Sequence, residues 1–234
     1  MTRTAAFFDL DRTLIRGSAN FPLAVAAFRA GYVPPRDLLR DAVQAVAFVL
    51  RGADDARSAA LRERILRAVA GHRSEDVIAL GSRIVPGLTA AVLPEARAAL
   101  DRHAAAGHDR IIVSASPVEL VSALADALGL EAAVGTRSEI VEGRYTGRLA
   151  GPFCYGQGKV AEITRLAAER GYDLAASTAY SDAVSDLPFL EAVGHPVAVN
   201  PDRELRAVAG TRGWQVLEVA GPRIARRRTR LLPA

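Results

Sequence analysis

Lysine is almost missing from this chain. Of its thirty basic residues, twenty-nine are arginine and one is Lys159. A chain that otherwise relies on guanidinium groups keeps one compact ammonium, at a place that a bulky planar fork would not serve. Cysteine is equally scarce: Cys154 stands alone, which excludes an intramolecular disulfide and gives no sign of an oxidising compartment. Aromatic residues make up only 6%, while half the residues are hydrophobic with Ala and Leu dominant, a composition that favours helices around a modest sheet. Apolar runs such as Ala45 to Leu50 stop far short of the roughly 20 residues of a membrane span. The first apolar run meets Asp9 at once, so no signal-peptide pattern is expected. The histidines, His72, His103, His108 and His195, lack metal-ligand spacing and are read as structural or solvated. The single thiol of Cys154 is read as a partly buried structural group. These absences lead to the expectation of a soluble, cytoplasmic protein.

Positive charge is also unevenly spread. The formal net charge is +4, and Arg223, Arg226, Arg227, Arg228 and Arg230 carry much of the excess at the end of the chain. The rest is close to neutral, which argues against a nucleic-acid-binding surface. Five arginines near an anionic membrane could contribute roughly 1 kcal/mol each. The tail nevertheless has only Leu231 and Leu232 as apolar partners, so residues 221–234 are expected to be solvated and disordered.

What is present begins with Phe7-Phe8-Asp9-Leu10-Asp11-Arg12-Thr13. The apolar run Ala5 to Phe8 predicts a central strand buried on both faces. Continued in a strand, Asp9 and Asp11 share one side, and two like charges that close need a metal between them or a retained proton. Residues 20–84 then show helical spacing and no strand pattern. Helices are expected over 22–30, 37–50, 59–70 and 74–84, with Pro86-Gly87 marking the return to the main body. From there helix and strand alternate: helix 89–106, strand 109–113, a helix to 128, strand 131–135, a hairpin over 140–149, helix 157–170, strand 174–180, helix 186–192, strand 197–199, helix 202–209 and strand 214–219.

This alternation predicts an α/β fold, a Rossmann-like and mostly parallel sheet with helices on both faces. Residues 1–15 and 86–220 form its core, and 16–85 a small helical cap inserted after the first strand. In such sheets ligands lie outside the carboxyl ends of the strands, so the polar clusters after Phe8, Val113 and Tyr180 should meet. Asp9, Asp11, Asp182 and Asp186 suit a hard cation taking oxygen ligands, Mg²⁺ above all. Thr13, Ser114 and the amides after it, with Lys159, suit a phosphate dianion. A metal, an anion cradle and a free carboxylate together amount to phosphoryl transfer through a carboxylate nucleophile.

These four pieces, in this order, resemble the haloacid dehalogenase superfamily of hydrolases, and the cap position resembles the branch that contains phosphoserine phosphatase. Asp182-Ala183-Val184-Ser185-Asp186-Leu187-Pro188 and Gly194 to Asp202 are similar to that branch as well. The resemblance implies that Asp9 attacks phosphorus and becomes an aspartyl-phosphate. Asp11 would protonate the leaving alcohol and then deprotonate the hydrolytic water. It implies Mg²⁺ held by Asp9, Asp11 through its carbonyl, and Asp182, with Asp186 acting through water or on Lys159. Thr13, Ser114, Ala115, Lys159 and Ser185 would bind phosphate. Dehalogenases of the superfamily have no acid at the position of Asp11, so a phosphatase of a small phosphate monoester is expected. Two positions depart from the branch. Ser18 stands where its members carry a Glu that pairs with the serine ammonium, and Ser185 where Asn is usual. The missing carboxylate removes a charge-assisted contact worth roughly 1.5–3 kcal/mol, so phosphoserine is one option among several. Arg16, Ser18 and Asn20, at the entry to the cap, are candidate selectivity contacts. A phospholipid or lysophospholipid phosphate at a membrane surface, or transfer to an alcohol, are alternative outcomes of the same chemistry.

Overall fold

Burial on both faces explains why the sheet forms where it does. In the computed structural model, which describes residues 3–32, 62–63, 66–67 and 69–219, Ala5–Phe8 (β1) is fully buried. Its alternation sends Ala6 and Phe8 into one core and Ala5 and Phe7 into another, so the strand lies between two apolar layers. Asp109–Pro117 (β2) and Thr178–Ser181 (β6) flank it in parallel. With Ala132–Thr136 (β3), His195–Val199 (β7) and Gln215–Leu217 (β8), the sheet is six-stranded in the order β3-β2-β1-β6-β7-β8, and every pairing is parallel. The order reverses between β1 and β6, so the crevice for a ligand opens there. The expected α/β fold is observed.

Helices Pro94–Ala105 (α3) and Val118–Leu128 (α4) cover the face that holds Phe8. Gln157–Arg170 (α5), Leu187–Glu191 (α6) and Arg203–Arg212 (α7) cover the other. Asn20–Arg29 (α1) follows the first motif. The hairpin of Ser138–Val141 (β4) and Arg144–Leu149 (β5) turns at Glu142-Gly143, as expected. It holds the base of the cap segment through backbone bonds: Gly71 N–H to the Tyr145 carbonyl at 2.8 Å, and Tyr145 N–H to that of His72 at 3.0 Å.

The helix boundaries near residue 86 differ from expectation. Ser74–Ala90 (α2) runs straight through Pro86 and Gly87. Leu80, Gly81, Val85 and Leu88 form a buried stripe against α4, while Pro86 and Gly87 face solvent, so packing outweighs the hydrogen bond that proline removes. The helix expected over 89–106 is interrupted instead at Leu93, whose extended backbone (ψ 137°) precedes Pro94 at the first turn of α3. The expected helix 37–50, and most of that over 59–70, lie outside the described residues, as does the tail 221–234. Among the described residues no helix is long and apolar enough to cross a membrane.

Candidate active site

The carboxyl ends of β1 and β6 bring Asp9 and Asp182 side by side, and the start of α5 delivers Lys159 between Asp9 and a third carboxylate. The Lys159 ammonium donates to Asp9 Oδ1 at 2.6 Å and to Asp186 Oδ2 at 2.6 Å. Asp186 closes the 3₁₀ turn Val184–Asp186 and also accepts from the Ser181 hydroxyl at 2.7 Å. Asp9, Asp182, Asp186 and Lys159 are all buried. Lys159 reaches this point because the loop before α5 lies tightly on its first turn. A Cβ on Gly158 would come within 1.8 Å of the Phe153 carbonyl, so only glycine allows that approach.

Burial and charge shift these groups strongly. Desolvation pushes the Asp9 carboxyl up to about 7; Lys159 opposes this, while Asp186 and Asp182 add to it. Burial likewise raises Asp182 to about 6, against the pull of Arg12. For Lys159, burial alone would lower the pKa, but Asp186 and Asp9 outweigh it and hold the ammonium protonated well above the usual lysine range. The crevice therefore holds more buried negative charge than Lys159 neutralises.

Asp11 is held differently. Its carboxylate accepts from the Ser18 hydroxyl at 2.7 Å, the Ala19 N–H at 2.8 Å and the Asn20 side-chain amide at 3.3 Å. Burial raises its pKa, and the Ala19 and Ser18 hydrogen bonds resist that rise. Ser18 and Asn20 thus touch Asp11 at the first turn of α1. Arg16 is exposed; its backbone N–H donates to the Ala91 carbonyl at 2.8 Å.

On the anion side, the Thr13 hydroxyl is buried and donates to Asp182 Oδ1 at 3.4 Å. Ser114 lies in β2, which continues to Pro117 instead of ending at Val113, with its register against β3 irregular between Val113 and Pro117. The Ser114 hydroxyl accepts from the Ser116 N–H at 3.1 Å, a local bond that competes with the ladder and bends this stretch. Ala115 is anchored through its carbonyl by the Thr136 hydroxyl at 2.7 Å. Ser185 is half-buried, next to Asp186.

Two contacts were not anticipated. Arg12 stands at a left-handed position (φ 62°), and its Nε lies 2.9 Å from Asp182 Oδ2. Arginine is uncommon at positive φ, and this ion pair offsets some of the strain. A basic residue inside an Asp-x-Asp-x-Thr loop was the only signal for it. The second is Ser181, between Tyr180 and Asp182, whose bond to Asp186 has no sequence signal, since a hydroxyl at a strand end has many ordinary uses.

The donor set fits a hard cation. Asp9, Asp182 and the Asp11 carbonyl offer oxygen only, and the charge of three buried carboxylates that Lys159 and Arg12 offset only in part is what such an ion would relieve. Among the described residues, no group of three or more His, Cys, Asp or Glu side chains forms a metal cluster. Two carboxylates completed by a carbonyl and water are a usual magnesium arrangement.

Comparison with known proteins gives the family. Residues 6–191 match the family model described as haloacid dehalogenase-like hydrolase. A Mycobacterium tuberculosis (H37Rv) protein named "Probable phosphatase" is 40% identical over 221 residues, covering 94% of this chain and 77% of its own. The phosphoserine phosphatase SerB1 of the same organism is 36% identical over 229 residues, covering 97% and 73%. A solved structure from Bordetella pertussis Tohama I, of a protein with unknown function, superposes with a TM-score of 0.79 at 31% identity, covering 93% of this chain and 99% of that one. With a family model matched over most of its length and relatives of 36–40% identity, the chain belongs to the haloacid dehalogenase-like hydrolases, as a phosphatase of the phosphoserine-phosphatase-like branch.

Proposed function

We propose that the protein hydrolyses a small phosphate monoester through an aspartyl-phosphate on Asp9. The observation that carries this reading is the Lys159 ammonium, buried and bonded at 2.6 Å to both Asp9 and Asp186. A lysine in that position holds the nucleophile's carboxylate and contributes positive charge where a phosphate dianion must enter. In this reading Thr13, Ser114, the Ala115 amide, Lys159 and Ser185 bind the phosphate oxygens. Phosphate monoesters are among the slowest compounds to hydrolyse unaided, so charge neutralisation and positioning must carry the catalysis.

Asp9 attacks phosphorus as the ester oxygen leaves, and Asp11 supplies that oxygen with a proton. Asp11 then takes a proton from the water that opens the aspartyl-phosphate, which returns Asp9 and releases phosphate. Ser18, Ala19 and Asn20 keep the Asp11 carboxylate turned to its task. Mg²⁺, held by Asp9, Asp182 and the Asp11 carbonyl with Asp186 behind, would supply charge neutralisation for the phosphoryl oxygens. SerB1, 36% identical, makes phosphoserine a natural member of the substrate panel.

The test is phosphate release from a panel of monoesters, phosphoserine included, with Mg²⁺ or with chelator. Turnover is expected to depend on the metal and to fall by about 10³-fold or more in Asp9→Asn. Equal turnover in wild type and Asp9→Asn would exclude the covalent route.

A further inference from the structure

A small cavity lies where Arg62 and Leu66 meet the core beside Ala115, the residue after Ser114. Arg62 and Leu66 form its cap wall, and Ala115, Pro117, Ser138 and Phe153 its core wall. Two of the core residues are rigidly tied to the catalytic loops. Ala115 follows Ser114 and is pinned by Thr136, while Phe153 precedes the turn whose contact with Gly158 fixes Lys159. On the cap side, Ala70 N–H donates to the Leu66 carbonyl at 3.1 Å, and a Cβ on Gly147 of β5 would lie 3.5 Å from that same oxygen, so Leu66 lies close to the hairpin.

The lining is mostly carbon, and its polar groups carry a single sign. Thr136, which also borders the cavity, has its hydroxyl engaged at both ends, donating to the Ala115 carbonyl and accepting from the Cys154 N–H at 3.3 Å. Glu63, next to Arg62 in sequence, is exposed and is not among the lining residues; the acidic residues near the core wall are engaged elsewhere. Glu119 accepts from the Tyr145 hydroxyl, Glu139 from Thr146 and Arg148, and Glu162 from Arg137 and Arg165. Arg62 is the charged residue of the lining; its guanidinium lies over the Phe153 ring at 5.8 Å, and the ring of Tyr155 stacks on Phe153 at 5.9 Å. At about 20 Å³ the space holds little more than one water, so Arg62 on Phe153 closes it in this conformation.

We propose that this seam is the leaving-group subsite, that Phe153 is its specificity-determining wall, and that it takes an apolar or aromatic leaving group without a cationic amine. The inference rests on the phosphatase reading above. A leaving group entering beside Ala115 displaces Arg62 from the ring and stacks in its place. An ammonium there meets the Arg62 charge with no carboxylate in the described lining to offset it.

Binding and turnover separate the two readings. Benzylphosphonate and 2-aminoethylphosphonate have a C–P bond that the proposed chemistry does not cleave, and their affinities for the full chain in Mg²⁺ buffer are measured by calorimetry. Benzylphosphonate is expected to bind about 10-fold tighter or better, an advantage largely lost in Phe153→Ala and kept in Phe153→Leu. Arg62→Glu should strengthen 2-aminoethylphosphonate and narrow the ratio several-fold, and because it alters only the cap wall it serves where the Phe153 variants fold poorly. Equal or reversed affinities in wild type, no binding of benzylphosphonate, or a ratio untouched by Phe153→Ala and Arg62→Glu would each overturn the subsite. Preserved binding without phosphate release from any monoester would overturn the phosphatase reading and leave the subsite standing.

Discussion

The catalytic crevice and the polar cluster beneath it are built on the same two strands. Phe8 directly precedes Asp9 and Tyr180 lies shortly before Asp182, and the two rings stack at 4.4 Å with 2° between their planes. Below them His103 bonds to the Tyr180 hydroxyl through Nε2 at 2.9 Å and to His108 Nδ1 through its own Nδ1 at 3.0 Å. Burial acts on both places with opposite sign. It raises Asp9 to about 7 and lowers His103 to about 4, the latter with help from His108 and Arg102. In the histidine cluster the neutral state satisfies the geometry, since one Nδ1 carries the proton that the other accepts. In the crevice a neutral Asp9 would be a poor nucleophile, and the surroundings supply one buried ammonium and an exposed Arg12 for three buried carboxylates. The lower cluster removes charge, whereas the upper one keeps it at a cost in stability. Retained and under-neutralised charge is the physical mark of the functional site.

Removing Lys159 is the strongest way to break that contrast. Lys159→Met keeps length and flexibility but leaves Asp9 and Asp186 buried without their counter-ion. A cost of about 3–5 kcal/mol in unfolding free energy is expected, with near-complete loss of phosphate release. Lys159→Arg should not rescue activity, because a planar fork cannot replace a point charge bonded to both carboxylates. Urea unfolding with a parallel phosphate assay checks both statements, and wild-type stability in Lys159→Met would mean that the carboxylates are neutralised by other means.

Asp11 sharpens the comparison, because its three donors hold a charge that the histidine cluster would have shed. The double variant Ser18→Ala/Asn20→Ala should lower kcat about 10-fold with little change in KM. Loss of these donors lets burial raise the Asp11 pKa further, so its limb of the kcat–pH profile moves to higher pH. A rise in KM with kcat unchanged would instead assign Ser18 and Asn20 to the substrate.

Much of this was legible in the chain itself, because buried parallel strands and the loops after them leave strong patterns. Ala5 to Phe8 marks a central strand, Asp9 and Asp11 a pair of carboxylates at its end, and the solitary lysine a special position; the strand itself stops at Phe8, before either carboxylate. The misjudged boundaries come from side chains that act on nearby backbone. The strand expected from Leu174 begins at Thr178, because Asp173 accepts from the Ala175 and Ala176 amides and holds those residues in a turn. Likewise Pro86 reads as a stop until the stripe through Leu80, Val85 and Leu88 is seen against α4. Long-range pairs such as Arg12 with Asp182, separated by most of the chain, leave no local periodicity to read.

The smallest effect isolates the lower cluster. His103 has a folded pKa near 4, below its ordinary 6.5, so its contribution to stability is present above pH 6.5 and is lost as pH falls towards 4. Asp9 and Asp182 are shifted upward, to about 7 and about 6, so their contribution is present below the ordinary carboxylate value of 3.8 and is lost as pH rises through those values. Without metal the two slopes oppose each other between about pH 4 and 7, and the wild-type curve is flattened. In His103→Gln only the crevice slope remains. Urea unfolding in chelator should therefore show the variant gaining on wild type as pH drops from about 7 to about 4.5. The gain should be on the order of 1 kcal/mol at most, because the imidazole is half exposed and solvent screens it. Added Mg²⁺ should reduce the crevice slope in both proteins and leave the difference between them in place, since the ion relieves charge at Asp9 and Asp182 and none at His103. Parallel curves for wild type and variant would show that His103 titrates as freely as in the unfolded chain, and that the contrast between the two clusters lies in the carboxylates alone.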